Sequence, residues 1–307
     1  MRYSKIIFLL LIFSTLFYKK SNAQQNFFDP SPTFNKQRFT GVMITEGIIY
    51  TATMIGLSRI WYKKYPHSPF HFFNDDGEWQ QMDKMGHFTT SYTVGRLGME
   101  ALRWSGVGNQ QSIWYGGSLG LLFLATVEVA DGMSKEWGFS LGDMTANTLG
   151  ASLLIGQQLA WNEQKISMQF SYHATIYSNY RPDELGSNLW EHLVKDYNGQ
   201  TYWLSANIAS FVKTGTNFPK WLNVDFGYGA EGMIGGMKNP DMKDSLGNPI
   251  VFKRYRKFFL APGVDLTRLL NVSPVLHGVF ETTEFIKIPA PTLEFTQNKF
   301  YFKPLYF

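Results

Sequence analysis

Three polar pairs at helical spacing interrupt otherwise apolar stretches: Asp83 and His87 four apart, Glu128 and Asp131 three apart, Asp143 and Asn147 four apart. On a helix each pair projects from one face. Three such helices packed side by side would bring carboxylates, an imidazole and an amide together. Oxygen donors with one nitrogen suit a divalent metal such as Mn, Fe or Zn, held by Asp83, His87, Glu128, Asp131 and Asp143. The same groups in apolar surroundings suit proton transfer, because burial raises a carboxyl pKa; His87, Glu128 and Asp131 are then the catalytic candidates. Lys84 and Asn147 complete the polar set.

Each residue also has a structural account. Ser140 followed by Asp143 reads as a capping box, and Asn147 can bind a neighbouring helix. His87 can be a core histidine bonded to Asp83 or to a helix carbonyl. Glu128 and Asp131 have the stronger functional claim, since a buried carboxylate is costly unless paired, yet Lys84, Lys135 or Arg96 could neutralise them. Arg96 itself is expected to pair with Glu100 one turn on. Asn74-Asp75-Asp76-Gly77 reads as a turn and helix cap, since the later ligands of a calcium loop are missing. The chain has neither a phosphate-binding glycine loop nor a Gly-x-Ser-x-Gly elbow, and the spacing is less specific than the two-histidine motif of zinc proteases.

Four helices must position these groups. Apolar residues recur at helical rhythm from Gln37 to Lys64, and further helices are expected at 78–104, 110–135 and 142–161. Small residues at Gly95, Gly98, Gly116, Gly117, Gly120, Ala146, Gly150 and Ala151 let their backbones approach closely. After Trp161 the period changes. Partly alternating β-branched and aromatic residues at 165–180, 201–213, 221–234, 256–269, 275–288 and 298–307 predict about six strands. The fold class expected is α+β: a helical bundle over 24–162, then an antiparallel sheet or partial outer-membrane-type barrel over 163–307.

Arg2 and Lys5, an apolar run from Ile6 to Phe17 and the small residues Ser21 to Ala23 read as a signal peptide over 1–23. The sequence contains no cysteine, which excludes disulfides and leaves no thiol for a lipid anchor. Its 28 basic and 24 acidic residues are scattered, which argues against nucleic acid as a partner. Aromatic content of 17%, concentrated in the second half, points to a membrane interface.

"DKMGHF" at 83–88, "EVAD" at 128–131 and "SLGDMTANTLGA" at 140–151 together resemble the DUF2279 family of YfiM-like predicted periplasmic lipoproteins, with a looser likeness to VanZ-like membrane proteins. The resemblance covers roughly 78–160 and implies a shared polar site at Asp83, Lys84, His87, Glu128, Asp131, Asp143 and Asn147, without implying an activity. Two features depart from it, the missing lipoprotein cysteine and the strand-rich second half. The expectation is an exported protein in the outer membrane or periplasm of a Gram-negative bacterium, associated with the outer membrane and with no identified protein partner. Its role is structural or partner-binding; the alternative is a metal-dependent or acid–base enzyme acting on envelope lipid or cell-wall material.

Overall fold

A computed structural model describes residues 29–62, 65–212, 218–269 and 272–306. The expected signal peptide lies outside them. Helix α1, Lys36–Ile60, starts at Asn35, whose side chain accepts from the Arg38 amide, and buries only Val42. Helix α2, Met82–Trp104, is central. It packs against α3, Leu119–Gly132, and α4, Leu141–Trp161.

Small residues bring these helices together as expected. A Cβ on Gly95 would strike the Gly117 carbonyl, and one on Gly150 would strike the Phe88 carbonyl. The helix expected over 110–135 is broken: a short turn at Asn109–Gln111 leads into a π-helical segment, Ser112–Gly116, before α3 begins. Gly116 lies against the α2 backbone at Met99, where a side chain could not fit. The expected start of the second helix also differs, because Trp79, Gln80 and Gln81 are left-handed, with φ of 46°, 55° and 63°. Arg96 pairs with Glu284 and not with Glu100, which instead takes Arg103 at 2.8 Å. Glu284 is far away in sequence, so no helical spacing reveals it.

Six strands make up the main sheet: β1 Ile166–Tyr172, β2 Gln200–Asn207, β3 Leu222–Glu231, β4 Tyr255–Val264, β5 Ala290–Thr296 and β6 Lys299–Tyr306; Met242–Lys243 and Pro249–Ile250 pair separately. The six form one antiparallel meander in chain order. The strand expected at 275–288 is a correction: Pro274–Thr283 is a helix, α5, because Ser273 accepts from the Leu276 amide and Pro274 pre-sets the first turn. The sixth strand is instead β5, concealed by Pro291, where the register with β6 slips. Pro304 is accommodated in β6 because that strand is an edge. Among the described residues β1 and β6 do not pair, so the barrel is not closed.

Register assigns the two faces of this sheet. One carries Gln169, Thr201, Ser205, Asn223, Asp225, Lys257 and Glu294, all buried, around an apolar cluster of Trp203, Phe259 and Ala261. The other carries Met168, Tyr202, Leu204, Phe226, Phe258, Leu260, Leu293, Phe300 and Phe302. The polar face is the inside. Lys287 enters it with Nζ 2.6 Å from Asp225 Oδ2, both groups fully buried, while Ser205 donates to the other Asp225 oxygen at 2.6 Å. Tyr306 curls back to Thr201, with 3.0 Å between the hydroxyls, and stacks on Phe259 at 4.6 Å.

On the apolar side the helices cover one half of the sheet. Met168 joins Tyr92, Met99, Ile113 and Leu154 in the core, and Tyr202 packs against Met82. Among the described residues no helix lies over the half formed by β4 to β6: Phe258, Phe300 and Phe302 are 49%, 69% and 68% exposed.

Candidate functional site

The polar residues converge where α2, α3 and α4 meet. Asp83, Lys84 and His87 occupy the first turns of α2, Glu128 and Asp131 the end of α3, and Ser140, Asp143 and Asn147 the start of α4. Half of the capping box expected of Ser140 and Asp143 is present: Ser140 Oγ accepts from the Asp143 amide at 3.0 Å, but the Ser140 amide donates to Glu128 and not back to Asp143. Lys84 Nζ lies 2.6 Å from Asp75 Oδ1, 3.0 Å from Asp143 Oδ1 and 3.6 Å from Asp83 Oδ2. Its ammonium is therefore the resident counter-charge of three carboxylates.

His87 connects this ion cluster to α3. Its Nδ1 is 3.1 Å from Asn147 Oδ1 and 3.6 Å from Glu128 Oε1; its Nε2 is 3.9 Å from Asp83 Oδ1. With the amide oxygen toward the ring, Nδ1 carries the proton and Nε2 is left as the basic nitrogen. Asn147 is itself fixed, because Ser91 Oγ donates to its carbonyl at 2.7 Å.

Glu128 is 1% exposed; Oε2 accepts from the Ser140 amide at 3.1 Å, and Oε1 is buried with no hydrogen-bond partner. Burial, reinforced by Asp131, pushes its carboxyl up to about 8 against the pull of the Ser140 amide. Burial likewise pushes Asp131 up to about 7, opposed by the Tyr62 hydroxyl, which donates to it at 2.6 Å. Asp143 is raised as well, by burial and then by Asp83, while Asp75 is lowered, its burial outweighed by hydrogen bonding with Asp143, Lys84 and Ser140. Lys84 is held above its ordinary value because Asp83 and Asp143 outweigh its desolvation. Burial thus raises Glu128, Asp131 and Asp143 together.

Asp83, His87 and Asp143 offer ligand atoms within 4.8 Å of one another. A metal there would fit the histidine: Nε2 faces the carboxylates while Nδ1–H is oriented by an amide oxygen, the usual support for a ligating imidazole. Against it, Lys84 already occupies the Asp83 and Asp143 oxygens. Glu128 reaches the group through His87. Asp131 turns to Tyr62 and is not one of the converging ligand atoms.

Sequence reasoning missed three members. Asp75, read as part of a turn, accepts from both Lys84 and Ser140, the latter at 2.6 Å. Tyr197 donates to Asp83 Oδ1 at 2.6 Å, and Tyr62 holds Asp131. Only Asp75 gave a signal, an acidic run beside the helix it serves. The two tyrosines come from distant segments.

Fold and site together define an α+β protein with a buried carboxylate cluster in its helical layer. Residues 71–156 match the model of the DUF2279 family, described as a predicted periplasmic lipoprotein. That description assigns it to the cell envelope and names no activity. The match contains Asp75, Asp83, Lys84, His87, Glu128, Asp131, Asp143 and Asn147, and excludes Tyr62, Tyr197 and the sheet. Neither the curated proteins nor the solved structures contain a match to the chain.

Proposed function

We propose that this is an exported envelope protein seated on the outer membrane, where its helical part, 24–162, is held by its strand part, 163–307, in a structural or partner-binding role. The observation that carries the reading is the inverted sheet, polar inside and apolar outside, with the outward side of β4 to β6 uncovered. Water does not favour that arrangement, whereas hydrocarbon does. Helix α1 supports it: by length and composition it could cross a membrane, and Ile44, Ile48, Ile49 and Ile55 are all exposed. A second helical stretch, Asn109–Gly132, passes the same test of length, but it is a bundle element in contact with α2 and α4.

Flotation of the full chain with phospholipid vesicles tests the reading. Phe258→Arg with Phe302→Arg is expected to release the protein from the vesicles, since an arginine on the lipid side of a strand costs about 2–4 kcal/mol at mid-depth. Wild-type protein that stays monodisperse without detergent and does not float would refute it.

A second reading is carried by Glu128. A buried, protonated carboxyl with one unpartnered oxygen facing His87 is arranged for proton transfer. In an enzyme acting on envelope lipid or cell-wall material, Glu128 and Asp131 serve as acid and base, His87 as shuttle or metal ligand, and Asp143 as orienting group. Metal content by elemental mass spectrometry, measured beside His87→Ala and Glu128→Gln, separates the readings. Stoichiometric metal lost in both folded variants favours the enzyme; unfolded variants without metal favour a structural network.

A further inference from the structure

At the end of the sheet where β4 begins and β5 turns into β6, Lys253, Arg254 and Arg256 line a basin of about 440 Å³ together with Gln80, Gln297 and Asn298. Arg254 is the informative member. It donates from Nη2 to the Gly236 carbonyl at 2.5 Å, but its Nε and Nη1 are buried with no hydrogen-bond partner. Buried donors of a charged group are costly to leave unmade, so two on one guanidinium indicate an acceptor that the chain does not supply. Burial pulls the Arg254 guanidinium below its ordinary value; Glu78 acts against this and Arg256 adds to it. No ion pair joins Glu78 to Arg254, and none is made by Lys253, among the described residues. The basin therefore concentrates positive charge without a resident anion.

We infer that this basin binds the phosphate group of an anionic ligand, either a lipid headgroup or a free phosphate. Planar guanidinium donors and a lysine point charge, with carboxamides beside them, are the groups that recognise phosphate oxygens. Position favours a headgroup. Arg256 lies on the same side of β4 as Phe258 and Leu260, so the cations stand at one end of the exposed apolar stripe. A lipid lying along that stripe would bring its phosphate to the level of Arg256.

The test is calorimetric titration of the full chain in neutral detergent with dihexanoyl phosphatidylglycerol, dihexanoyl phosphatidylcholine and inorganic phosphate. Saturable binding of the phosphatidylglycerol is expected, weakened at least about tenfold in Arg254→Gln and Lys253→Gln and weakened further by salt. Phosphate binding with the same dependence on both variants, and no lipid binding, would assign the site to a free phosphate. Absence of saturable heat with every probe, or variants that bind as tightly as wild type, would overturn the inference. Should Arg254→Gln unfold through loss of its Gly236 bond, Lys253→Gln decides, because that side chain is exposed. Free phosphate needs no membrane and the basin uses none of the carboxylate cluster, so failure here is distinct from failure of the proposed membrane seat.

Discussion

Replacing Lys84 by Met removes the ammonium while keeping most of the side-chain volume. The ammonium lies 2.6, 3.0 and 3.6 Å from the carboxylates of Asp75, Asp143 and Asp83, and its side chain is 14% exposed. At about 3 Å and an effective dielectric near 20, one ion pair is worth roughly 5 kcal/mol before desolvation. The solvation that the ammonium gave up on burial offsets part of the attraction. The expected net loss is about 3–5 kcal/mol, as for other buried pairs broken on one side. For a domain of this size that lowers Tm by roughly 6–20 °C. The assay is thermal unfolding in detergent, with and without millimolar Mn²⁺ or Zn²⁺. Because Asp83, His87 and Asp143 then face a vacated cation position, added metal should raise Tm more in the variant than in wild type. A Lys84→Met protein within about 1 kcal/mol of wild type would refute the reasoning, since it would mean that solvent already screens the cluster.

Three further outcomes are expected. Burial, with Lys257 next, holds the His173 imidazole down at about 4, so the unfolded chain binds a proton that the folded chain does not, and stability should fall as pH drops from about 6.5 to about 4; the loss is at most about 3 kcal/mol, absent in His173→Asn, and read from urea midpoints at each pH. Gly150→Leu should separate α2 from α4 and destabilise by more than about 3 kcal/mol, because the new side chain meets the Phe88 backbone, which cannot yield as a side chain would. Gln80→Gly should stabilise by about 1 kcal/mol in the same urea assay, since glycine accepts the left-handed φ of 55° without strain and the Gln80 carbonyl keeps its bond to Tyr228.

Much of the helical layer was legible because its signals are local. Pro66 and Gly138 mark interruptions, Ser140 and Asp143 announce α4, and the glycines at 95 and 150 mark where backbones touch. Helical spacing brings Asp83, His87, Glu128, Asp143 and Asn147 together, while Asp131 turns to Tyr62. What stayed hidden is non-local: Tyr197 reaches Asp83 and Glu284 reaches Arg96 across intervals of sequence that carry no period. In the strand half, β-branched and aromatic residues suit a strand and a short amphipathic helix equally, so only the Ser273-Pro274 start marks α5 as a helix. The prolines that concealed β5 act in the opposite sense, since an edge or bulge tolerates them.

The left-handed turn at 79–81 gives the helical layer and the sheet a mechanical connection. Three consecutive non-glycine residues in that region persist only when their surroundings over-determine them. Here the turn is held at every residue by the other layer: the Trp79 amide donates to Gly236 at 3.0 Å, the Gln80 carbonyl accepts from Tyr228, and the Gln81 side chain accepts from Arg256. Met82 and Asp83 follow at once, so the direction in which α2 presents Asp83, Lys84 and His87 is set by β3 and β4 and not by a cap on the helix itself. The same sheet residues bound the cationic basin through Arg256 and Gln80. A polar cluster that helix spacing brings together is therefore aimed by a sheet that the DUF2279 match does not include. This is the physical reason to study the cluster in the whole chain.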